Sequence, residues 1–121
     1  MDYESERTIE SAAAPGVRFT IARMSFGRRV ELIRLIRDLA GRTEYLRAGE
    51  DANEKLEAAL LATEIERLYL TWGLLKVEGL TIDGQAATLE SIIASGPEEL
   101  CREMASAIRA ECGLTEEEQK N

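Results

Sequence analysis

The spacing of apolar positions changes several times along the chain, and each change marks an element. Val17, Phe19 and Ile21 fall on one side of an alternating run, the two-residue period of a short strand near 17–23. Ser25 then stands where a helix N-cap is wanted. From Phe26 to about Arg47 the period is helical, with Leu32, Leu35, Ile36, Leu39, Thr43 and Leu46 on one broad face. The opposite face carries Glu31, Arg34, Asp38 and Arg42, three and four residues apart, so that alternating charges pair along the helix. Gly49 stops this helix, and Glu50 and Asp51 open the next with acids, where the helix dipole favours them.

Residues 52–72 make a second helix that is apolar on two sides. Ala58, Leu61, Ala62, Ile65, Leu68, Tyr69 and Trp72 gather on one face, and Leu56, Ala59, Leu60, Thr63 and Leu70 on another. Such a helix needs cover on both sides: it is central to the fold, or one face is an interface. The first face, larger and aromatic, is assigned to the core. That leaves Leu56, Ala59, Leu60 and Thr63 as the self-association or partner surface.

Gly73 and Gly79 interrupt the helical period. Asp83-Gly84, the preferred dipeptide of a tight turn, then sits between Leu80–Ile82 and Gln85–Ala87 and predicts a hairpin near 80–87. A hairpin alone is only marginally stable, so it is expected to pair with the strand near 17–23. Leu75-Lys76-Val77 is a further candidate for the same sheet. Thr88 caps a short helix over 89–95 that Gly96 closes. Pro97, at a first helical position, opens a last helix whose stripe is Leu100, Cys101, Met104, Ala105, Ala107, Ile108 and Cys112, with Gly113 as its stop. Thr115 to Glu118 has a capping-box pattern. Residues 1–15 are acidic or small, offer little to bury, and are read as a flexible acidic arm ahead of a single, mostly helical domain over 16–121. The fold class expected is therefore α+β and mostly α-helical, with three longer amphipathic helices and a small β element.

Charge changes the picture in one respect. The net charge of −8 is uneven: residues 17–48 hold eight arginines against three acids, and residues 49–121 hold sixteen acids against six bases. An arginine-rich segment can mark a nucleic-acid surface. Most of these arginines have an acid at helical spacing, which leaves Arg28, Arg29 and Arg37 without an obvious local partner. No apolar run approaches the ~20 residues of a membrane span. The acidic N-terminus has no basic or apolar region of a signal peptide, so a cytoplasmic protein is expected.

Candidate chemistry is thin. The chain has no histidine, the usual general base and the commonest metal ligand. Its two cysteines, Cys101 and Cys112, lie on one helix about 16 Å apart along the axis, too far to bridge. The glycines are dispersed and form no phosphate-binding loop. Asp83-Gly84 lacks the further oxygen ligands of a calcium loop, and Glu98 and Glu99 point to different sides of their helix, so they do not form a glycosidase pair. Trp72 lies in the apolar stripe and is read as core. An enzyme, a cofactor, a metal and a small-molecule substrate are all unexpected.

The run Val17-Arg18-Phe19-Thr20-Ile21-Ala22-Arg23, continuing through Ser25-Phe26-Gly27-Arg28-Arg29 into an arginine-laced helix, resembles the N-terminal part of tail assembly chaperones of tailed bacteriophages. The resemblance continues through Trp72-Gly73-Leu74, Val77 to Gly84, Gly96-Pro97-Glu98-Glu99-Leu100 and the closing Glu111 to Asn121, and so covers residues 16–121. It implies a non-enzymatic helper that binds the long helical tape measure protein, or another helical tail protein, while tail tube subunits polymerise around it. The helper is then released. Many such genes also yield a longer product by ribosomal frameshifting. The family assigns no catalytic residues, so the interaction surface rests on Leu56, Ala59, Leu60, Thr63, Arg28, Arg29 and Arg37, with self-association a further option. The alternative is a small nucleic-acid-binding regulator that uses the arginine-rich first helix, a reading weakened by the chain's overall acidity.

Overall fold

The computed structural model describes residues 1–47 and 52–113, with backbone alone at 38, 40 and 42–47. The elements run β1 (Glu6–Glu10), β2 (Arg18–Ala22), α1 (Phe26–Arg47), α2 (Ala52–Gly73), β3 (Leu74–Glu78), β4 (Thr81–Ile82), β5 (Gln85–Ala86), α3 (Leu89–Ser95) and α4 (Glu98–Cys112). The fold is α+β and mostly helical. The stop at Gly49, the acids at 50 and 51, the side chains of Thr43, Leu46, Asp38 and Arg42, and the capping pattern at 115–118 lie outside the described residues.

Strand β2 is the centre of a three-stranded antiparallel sheet in the order β1-β2-β3. Its Phe19 and Ile21 are buried in the core, and on the opposite face Thr20 is buried with its hydroxyl 2.9 Å from that of Thr8 on β1. The strand near 17–23 is thus where the alternation places it, and the 75–77 segment joins it as part of β3, but the hairpin expected beside it does not. β1 pairs with one edge, Glu6 opposite Ala22 through Glu10 opposite Arg18. β3, which follows α2 without a break, takes the other edge, with a bulge between Thr20 and Ile21. With both edges of β2 occupied, the hairpin has none to join, and β4 and β5 pair only with each other. The turn itself is as expected: Asp83 and Gly84 both have positive φ, 52° and 81°.

The acidic arm is also corrected. Residues 6–10 are a strand, and the segment after it is fixed by Ser11 N–H donating to the Val17 carbonyl (2.8 Å) and Val17 N–H donating to the Ala14 carbonyl (3.0 Å). Helix α4 fastens the same region from the other side, since Glu103 accepts from Ser11 Oγ at 2.5 Å and from Ala12 N–H at 2.7 Å. Two turns further along, Glu111 lies 3.5 Å from Arg7 and 3.3 Å from Arg23. Composition alone misses this, because the contacts are long-range and polar.

The helix boundaries follow local chemistry. Ser25 Oγ accepts from Arg28 N–H, as an N-cap should. Thr88 and Ser91 form a reciprocal capping box at the start of α3. Pro97 stands at the N-cap of α4, one residue before the position expected, and Gly113 ends that helix in the left-handed region at φ 60°. The core gathers Phe19, Ile21, Leu32, Ile36, Ile65, Tyr69, Leu74, Ile92, Met104 and Ile108. Gly73 lets α4 approach α2 closely: a Cβ there would lie 2.6 Å from Ile108 Cγ2.

Candidate interaction surface

Helix α2 shows the two faces its sequence suggests. Ala58, Leu61, Ile65 and Tyr69 are buried, while Leu56 and Leu60 are 73% and 56% exposed and Ala59 and Thr63 are also exposed. Thr63 spends its hydroxyl on its own helix, donating to the Ala59 carbonyl at 3.1 Å. Leu70, placed with this outer face by its angle, is only 7% exposed. Leu70 lines a groove together with Ile93 and Ala94 of α3, which contacts α2. Leu35 departs in the other direction. It lies about 60° round α1 from Leu32, at the rim of the core face, and is 43% exposed.

The outer positions of α2 have a regularity that a two-face description misses. Leu56, Leu60, Thr63, Arg67 and Leu70 follow one another at intervals of four, three, four and three, the heptad spacing of a seam that receives another helix. Beyond Thr63 the seam leads into an open groove of about 680 Å³ between α2, α3 and α4, with Leu70, Ile93, Ala94 and Cys101 among its lining residues and Glu66 and Glu90 at its polar edge. Sequence reading missed the groove because three separate elements build it. The heptad spacing was the available signal.

The three arginines singled out earlier do not form a patch of equivalent groups. Arg28 lies over the Trp72 ring at 5.1 Å from its centroid. Arg29 donates to the Cys112 carbonyl at 2.9 Å, tying the start of α1 to the end of α4. Arg37 is exposed on α1. Of the remaining arginines near the sheet, Arg18 pairs with Glu78 and Arg23 with Glu111, and Arg23 also lies over the Tyr3 ring. Trp72 is half-buried against the core, as its stripe suggests.

Neither thiol is poised for nucleophilic chemistry. Burial pushes Cys112 up to about 11, with the nearby Arg29 cation pulling the other way, and burial also raises Cys101. Cys101 Sγ faces the Ile92 carbonyl at 3.5 Å. Among the described residues, no three Asp, Glu, Cys or His side chains gather as metal ligands would, and no helix is long and apolar enough to cross a membrane. No family model, curated protein or solved structure matches the chain.

Proposed function

We propose that this chain is a non-enzymatic tail assembly chaperone of a tailed bacteriophage, which holds the tape measure protein in the host cytoplasm until tail tube assembly displaces it. The family resemblance over residues 16–121 motivates the reading. The observation that carries it is the outer face of α2, where two leucines stand largely exposed on a seam of heptad spacing. A helical client with repeated apolar stripes is the kind of partner such a face can cover. The net charge of −8 would help keep a complex with an aggregation-prone client in solution.

The test is co-expression with the tape measure protein encoded beside the gene. The tape measure protein should become soluble and copurify with this chain. Equal solubility with and without the chain, and no copurification, would reject the reading.

A further inference from the structure

We infer that the α2 seam and the groove continuous with it receive one amphipathic α-helix whose polar flanks carry Lys and Arg. The proposal deepens the chaperone reading and rests on it only for the identity of the protein that supplies the helix.

The periodicity points to a helix. Positions 56, 60, 63, 67 and 70 repeat every 3.5 residues on average, so they stay aligned with a second helix laid along α2, as in knobs-into-holes packing. An extended strand reads a surface every two residues and needs a free sheet edge, which this face does not present. The exposed part of the seam, from Leu56 to Arg67, is about 16 Å long, so it matches roughly three turns of a partner. At the C-terminal end of the seam Leu70 is buried and lines the groove with Ile93 and Ala94 of α3.

Charge decides the flanks. Glu57 and Glu64 lie on one side of the seam; Glu66, Glu90 and Glu98 border the other side and the groove. The bases are Lys55 near the start of α2, Arg67 within the seam, and Arg102, which is engaged by Glu98 at 2.7 Å. Acids therefore dominate both borders, and a partner with Lys or Arg beside its apolar stripe is favoured over one with acids, more so at low salt.

The probe is a synthetic helix of about three heptads, with Leu at the seam positions and Lys on the flanks. It is compared with a Glu-flanked version and with a Lys-containing peptide of the same composition but no period. Binding is read by fluorescence anisotropy at about 50 mM salt. The Lys-flanked helix should bind at least about tenfold tighter than either control. Leu60→Asp should remove that binding. Glu66→Lys with Glu90→Lys should weaken it by about tenfold or more, whereas Glu6→Lys with Glu10→Lys, an equal charge change on β1, should not.

No preference among the peptides, or equal loss in the β1 control, would overturn the proposal. So would a wild-type dimer in sedimentation that the Glu66/Glu90 pair of substitutions converts to monomer, since the seam would then belong to a second copy. Should Leu60→Asp unfold, the two charge pairs still decide. Peptide selectivity without tape measure copurification removes the chaperone reading and leaves this surface standing; the reverse pattern removes only the surface.

Discussion

Glu103, half-buried on α4, accepts hydrogen bonds from Ser11 Oγ and from the backbone N–H groups of Ala12 and Ala13. Desolvation pushes its carboxyl upward, but these donors outweigh it and hold the group below the ordinary glutamate value. A carboxylate whose folded pKa is depressed contributes stability that is present above its unfolded pKa and lost as pH falls through the folded one. Glu103→Gln should therefore lower stability near neutral pH, by about 1–2 kcal/mol for the charged hydrogen bonds weakened. It should also flatten the acid side of the stability profile below about pH 5. Thermal melts across that range check both, and an unchanged profile would show that Glu103 does not hold the N-terminal segment.

Strand β1 is the element whose role departs furthest from its composition. It is an edge strand with Glu6, Arg7 and Glu10 exposed, the charged surface that edge strands commonly carry. Its core-facing side gives the Ile9 contact with the core, and its opposite side gives the Thr8–Thr20 pair. Deleting residues 1–10 would uncover the buried side of β2 and free Glu111 from Arg7. The thermal midpoint should fall by more than about 8 °C, the effect of a loss of a few kcal/mol in a domain of this size. A midpoint within about 2 °C of the parent would return the segment to the status of a free arm.

At the scale of the whole molecule, part of the uneven charge is matched internally. Arg18 and Arg23 pair with Glu78 and Glu111, Arg28 lies over the Trp72 ring and Arg29 donates to the Cys112 carbonyl, so these four arginines of the basic segment are engaged within the molecule. A phosphate track needs cations free to meet an external anion. DNA binding followed by anisotropy between about 50 and 200 mM salt should accordingly be weak and show no steep slope. A slope of several counterions would favour the nucleic-acid reading, with Arg37 the first residue to replace.

Local signals were legible in the sequence wherever a short stretch contains its own reason. The β2 alternation, the Ser25 and Thr88 caps, the Asp83-Gly84 turn, the Gly113 stop and the two faces of α2 all depend on residues a few positions apart. Tertiary structure decided what depends on distant partners. β1 forms because β2 offers an edge and α4 supplies Glu103 and Glu111, and the hairpin stays apart because β3 reaches the other edge first. Leu70 is buried where it lines the groove beside α3, and Leu35 is exposed because it lies at the rim of the α1 core face. Periodicity tells which residues share a side of a helix; only the packing of the other elements determines which of those sides meets water.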